Sequence, residues 1–169
     1  MQANAVVIDS SFAGWHVDMA VDAGDGIHIA YYNSSSGDLK YAYLPAYNAA
    51  PQVTTVDSFL STGTDISITT YYDGAHYVPY ISYFMPTFTQ TSYSVRAAWR
   101  TNFASLQPGA TNDQFTGNWE IMTVPTASYP QDFRIGVGAK PNASAVTSPI
   151  LGYSTKNGST YTLETAQMQ

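Results

Sequence analysis

The 169-residue chain has no cysteine, so it carries neither a disulfide framework nor a thiolate metal site, and that count does not set its redox compartment. Charge is scarce as well. Charged residues make up 11% of the chain, against a usual share of about 25%. Six Lys plus Arg face twelve Asp plus Glu, and the resulting net charge of −6 repels phosphate backbones, so a nucleic-acid partner is not expected. No apolar run reaches the roughly 20 residues of a membrane-spanning helix. The opening Met-Gln-Ala-Asn lacks the basic and apolar regions of a signal peptide. Glu, Lys and Leu, which carry exposed helices, are sparse, and no helix is expected.

What the chain does have is tyrosine, fourteen of them, among runs of β-formers broken by turn clusters. His16 to Val21, Ile27 to Tyr32 and Leu39 to Leu44 are separated by Asp22-Ala23-Gly24-Asp25-Gly26 and by Asn33-Ser34-Ser35-Ser36-Gly37-Asp38. This predicts a three-stranded antiparallel meander. The same phrase recurs with a strand in front of it. One copy starts at Val6-Val7-Ile8-Asp9-Ser10. A second starts at Thr54-Thr55-Val56-Asp57-Ser58 and continues through Asp65 to Tyr71, Ala75 to Phe84 and Ser92 to Arg100. A diverged third copy uses Trp119 to Val124, Phe133 to Gly138, Pro149 to Tyr153 and Thr160 to Thr165. The blade-like repeats therefore span about 5–52, 53–118 and 119–169, all within one unit.

Four-stranded units at this period point to an all-β fold of β-propeller blades, and a β-sandwich is the ordinary alternative. In Ile27-His28-Ile29-Ala30-Tyr31-Tyr32 both alternating sets are mostly apolar or aromatic, as expected for sheets covered on both faces. The phrase Asp25-Gly26-Ile27-His28-Ile29-Ala30-Tyr31-Tyr32, followed by Gly37-Asp38-Leu39-Lys40-Tyr41-Ala42, resembles the repeat of bacterial secreted or surface β-propellers, distantly similar to sialidase-like propellers. The second copy keeps Asp73-Gly74-Ala75-His76 and Tyr80, and the third keeps little beyond Gly152-Tyr153. The resemblance implies blade architecture and not an activity.

Three blades do not close a ring. If the meander supplies the first three strands of each blade, the chain opens with an orphan fourth strand, Ala5 to Ser10, and finishes on an unpaired third strand, Thr160 to Thr165. Two copies related by a two-fold axis would complete six blades; further blades of a longer chain would do the same.

Chemistry is thinly provided. The two glutamates, Glu120 and Glu164, fall on expected outer strands, and Asp9 and Asp57 hold equivalent repeat positions, as do Asp25 and Asp73. Turn and strand-end hydrogen bonding accounts for such aspartates without catalysis. Arg96 and Arg100 lie four apart on one strand and Arg134 belongs to another blade, so they do not converge as a sialidase's arginines would. Thr111-Asn112-Asp113, Gly117 and Trp119 form only a distorted version of that family's turn box. His28 and His76 each follow Asp-Gly and are candidates to line a channel, but no ligand spacing supports a metal, and no cofactor is expected. Recognition remains. Tyr, Asn, Ser, Thr and Gly fill the loops, and Trp15, Tyr47 and Phe88 are the candidate ligand-binding aromatics. The expected function is a non-catalytic extracellular or cell-surface interaction module that self-associates or completes a larger assembly. A lectin-like propeller that stacks a glycan on aromatics is the alternative, and a degenerate sialidase-like hydrolase is a more distant one. Expected partners are the chain itself, further blades, or another surface protein or glycan.

Overall fold

A computed structural model of the chain describes residues 5–11, 13–73, 76–86, 93–101, 118–124, 133–138 and 150–167. These residues form eleven strands and no helix. The first sheet takes β1 (Ala13–Val21), β2 (Ile27–Asn33), β3 (Asp38–Leu44) and β4 (Gln52–Asp57) in consecutive antiparallel order. The second repeats this order with β5 (Thr64–Tyr72), β6 (Tyr77–Pro86), β7 (Tyr93–Thr101) and β8 (Asn118–Thr123). The third holds β9 (Phe133–Gly138), β10 (Ile150–Asn157) and β11 (Thr160–Gln167), also in consecutive order.

The turns follow from local chemistry. In the β1–β2 turn the Asp22 carboxylate accepts hydrogen bonds from the backbone N–H groups of Gly24 at 2.7 Å and Gly26 at 3.0 Å. A Cβ at Gly26 would collide with that carboxylate and stand 3.0 Å from the Tyr43 ring, so only glycine fits. Between β2 and β3, Asn33 Oδ1 accepts from the N–H groups of Ser35 and Ser36, and Gly37 completes the turn at φ 77°.

The sheets pack face to face. Ala30, Leu39, Tyr41, Tyr43 and Val56 of the first sheet meet Ile66, Ile68, Ile81, Tyr83 and Ala98 of the second. The opposite face of the second sheet, with Tyr80, Phe84, Val95 and Ala97, meets Leu151 and Tyr153 of the third. Strand β1 lies beside β5, and β5 beside β9, so the first strands of the three sheets run along one seam. Asp18 of β1 ties that seam by accepting from the Ile68 backbone N–H of β5 at 2.9 Å.

One expectation changes: Ala5 to Ser10, expected as an orphan strand, joins no ladder among the described residues. Trp119 to Val124, which opens the third sequence copy, pairs through β8 with β7 as the fourth strand of the second sheet, as the phase of the repeat predicts, and the third sheet holds three strands among the described residues.

Candidate functional site

Strand pairing gives the three sheets a common register. Tyr31 stands opposite Lys40, Tyr83 opposite Arg96 and Tyr153 opposite Glu164, each a second-strand tyrosine facing a third-strand residue. Two of these tyrosines are gripped by the same device. The Tyr83 hydroxyl donates to Asp57 Oδ2 at 2.7 Å, Arg96 donates to the same oxygen at 2.7 Å, and Asp57 Oδ1 accepts from the Phe59 N–H. In the first sheet the Tyr31 hydroxyl donates to Asp9 Oδ2 at 2.8 Å, and Asp9 Oδ1 accepts from the Ser11 N–H and hydroxyl. Lys40 occupies the place of Arg96 and adds to the hydrogen bonds from Ser11 that hold the Asp9 carboxyl below its usual range. Burial and the adjacent carboxylates push both tyrosine hydroxyls upward, so they remain donors at neutral pH.

Asp57 lies on β4, a strand of the sheet that precedes Tyr83. Asp9 therefore stands, relative to the first sheet, where a fourth strand of a preceding sheet would stand. At the third sheet the described residues show a different bond. Val124 is followed by Pro125 where Val56 is followed by Asp57, and the Tyr153 hydroxyl turns to Glu164 at 2.9 Å. Burial and Glu164 push its pKa up to about 12.

The outer face of the first sheet is apolar and open. Val17 and Met19 are 60% and 57% exposed, whereas in the second sheet Ile68, the counterpart of Met19 counted from the paired tyrosines, and Ile66 are buried. A groove of about 290 Å³ runs between Val7 and Ile8 on one side and Val17, Met19, Ile29 and Tyr31 on the other. At the far end of the stack, Ile150, Tyr161 and Leu163 are exposed on the outer face of the third sheet.

The candidates read from the sequence are not brought together. Trp15, 80% exposed, lies in β1, and Tyr47, also exposed, lies in the β3–β4 connection. Phe88 lies outside the described residues. His28 does not face an open channel. It is buried between the first two sheets, with Nε2 at 2.8 Å from Asp22 Oδ2 and Nδ1 at 2.7 Å from the Tyr41 hydroxyl. The carboxylate accepts from the ring N–H, so Nδ1 accepts from Tyr41. His76 sits in the β5–β6 connection, its backbone N–H bonded to Asp73 Oδ1. Their shared Asp-Gly context does not make them equivalent. Counted from the paired tyrosines, the counterpart of His28 in β6 is Tyr80, stacked on Trp99 at 5.6 Å as His28 meets Tyr43 at 5.0 Å. The longer β6 displaces His76 into the turn.

Arg100 is buried beneath Tyr41 and Trp119, with its guanidinium 5.9 Å and 5.6 Å from the two rings. Among the described residues no group of three metal-ligating side chains assembles. Compared with known protein families, curated proteins and solved structures, the chain gives no match.

The candidate-site residues not singled out from the sequence are Tyr31 and Tyr83. Their signal was present as an aromatic at one place in each repeat, but only the carboxylates they bond, 22 and 26 residues away, distinguish them from core tyrosines.

Proposed function

We propose that the three sheets are blades of a β-propeller and that the chain is a non-catalytic extracellular or cell-surface interaction module that works by self-association. The observation that carries this reading is the pair of open apolar faces at the two ends of one stack of sheets, with Val17 and Met19 at one end and Tyr161 and Leu163 at the other. Consecutive antiparallel order within each sheet and the seam of first strands support the blade architecture. Buried, mutually bonded side chains such as Asp22, His28 and Asp57 are committed to the fold, which supports a binding role over chemistry at those groups. The composition, tyrosine-rich and poor in Lys and Glu, supports the extracellular assignment.

Measurement of molecular mass in solution tests the reading. A mass above the 18.3 kDa of one chain supports it, and a strict monomer across the micromolar range removes it. The exposure of Trp15 favours one second reading, glycan stacking on that ring. Glycan-array binding lost on Trp15→Ala would establish that reading.

A further inference from the structure

We infer that the partner is a second copy of this chain, and that residues 5–11 of each copy serve as the fourth strand of the other copy's third sheet. The inference rests on the self-association reading and specifies its geometry.

Three observations converge on it. The first is the repeated grip on a second-strand tyrosine. Asp57 reaches Tyr83 from β4, which is bonded to a third strand, β3. Asp9 likewise accepts from a second-strand tyrosine hydroxyl and from the backbone N–H two residues on, yet its segment has no third strand beside it among the described residues. The segment is thus held in the position of a fourth strand with no sheet of its own among the described residues.

The second observation is the open edge of the third sheet. Among the described residues β11 is a third strand paired on one side only, to β10. An edge strand with free backbone donors and acceptors is normally covered. The two deficits are complementary: a third strand lacking a fourth, and a fourth-strand segment lacking a third.

The third is the exposure of residues that share one register position. Leu39, Val95 and Leu163 each lie one residue before the third-strand partner of the paired tyrosine. Leu39 and Val95 are 0% exposed and Leu163 is 80% exposed. Leu39 packs against the second sheet, and Val95 belongs to the core shared with the third. Leu163 points toward the place of a next sheet, and the uncovered first-sheet face with Val17, Met19 and Ile29 is an apolar surface of the same kind as those that cover Leu39 and Val95. The proposed junction therefore continues an interface already made twice inside the chain. A two-fold axis produces two such junctions, satisfies both ends of both copies and leaves no open sheet end.

The register follows from the first two sheets. Thr55 pairs with Lys40 and Thr54 with Tyr41. By the same offset from Asp9, Val7 pairs with Glu164 of the partner subunit and Val6 with Thr165 of the partner subunit. Since the chain has no cysteine, single replacements report this pairing without background. Antiparallel neighbours come within disulfide reach.

The experiment mixes Val6→Cys protein with Thr165→Cys protein under mild oxidation, alongside sedimentation of the unmodified chain and of Leu163→Asp. The expected results are a mass twice 18.3 kDa for the unmodified chain, a disulfide joining the two different variants, and a monomer for Leu163→Asp with its β circular dichroism retained. A dimer that forms neither the mixed disulfide nor a Leu163→Asp monomer overturns the strand exchange while leaving self-association standing. A monomeric unmodified chain overturns both.

Discussion

Asp57 illustrates how one side chain can hold two sheets together. Its carboxylate lies at the junction and accepts from Tyr83, Arg96 and the Phe59 backbone, while Arg96 also covers the Phe59 ring at 5.6 Å. Asp57→Ala would leave the buried Tyr83 hydroxyl and the partly exposed Arg96 without their acceptor. The expected loss is about 2–3 kcal/mol, below the full cost of breaking a buried pair because solvent reaches Arg96. Urea unfolding of the single variant reads it. His28 makes stability depend on pH. Burial, aided by the charge of Arg100, lowers its pKa from 6.5 despite the opposing pull of Asp22, so the folded chain binds a proton less readily than the unfolded one. Stability is therefore complete above pH 6.5 and falls as pH drops through the depressed folded value. Urea midpoints taken between about pH 5 and about pH 7 should rise with pH, and His28→Gln should flatten that slope although it lowers the midpoint throughout. Asp9, also lowered, has the same sign, but its window lies below the carboxylate value of 3.8 and does not overlap.

Elements were legible in the sequence where turn chemistry is local. Asp22-Ala23-Gly24-Asp25-Gly26 and Asn33 to Gly37 close on themselves through side-chain-to-backbone bonds a few residues apart, so their strands could be placed without a structure. Which strands shared a sheet, and how the second repeat aligned with the first, depended on contacts across sheets. The extra residues of β6 shifted the register so that Tyr80, and not His76, became the counterpart of His28. A repeated Asp-Gly-x-His string could not report this, because register is set by pairing and burial rather than by the turn. Two substitutions test the element-level account. Gly26→Ala forces a methyl between the Asp22 carboxylate and the Tyr43 ring, with an expected cost of about 1–3 kcal/mol. Thermal unfolding by circular dichroism measures it. Leu39→Ala empties a fully buried site between the first two sheets, and urea unfolding should show a loss of about 2–5 kcal/mol.

At the scale of the molecule, the second sheet is covered on both faces, by Leu39 and Tyr41 on one side and by Leu151 and Tyr153 on the other, whereas the first and third sheets each leave an apolar face open. Protection against hydrogen exchange follows the depth at which backbone bonds are buried. Amides of β6 and β7 should therefore exchange slowest, at the rate of global unfolding. Outward amides of β11 have no ladder partner among the described residues and should exchange fast in Leu163→Asp, which is expected to be a monomer. In the unmodified chain at concentrations that favour assembly, the same amides should slow by orders of magnitude, because a neighbouring strand takes up their N–H groups. Residues 6–8 should slow with them, since those residues form the other side of that ladder. Mass-resolved exchange followed across a dilution series separates this from simple burial of side chains: apolar contact alone would protect the face of the third sheet without closing its edge, and fast exchange in β11 at every concentration would show that edge to be open.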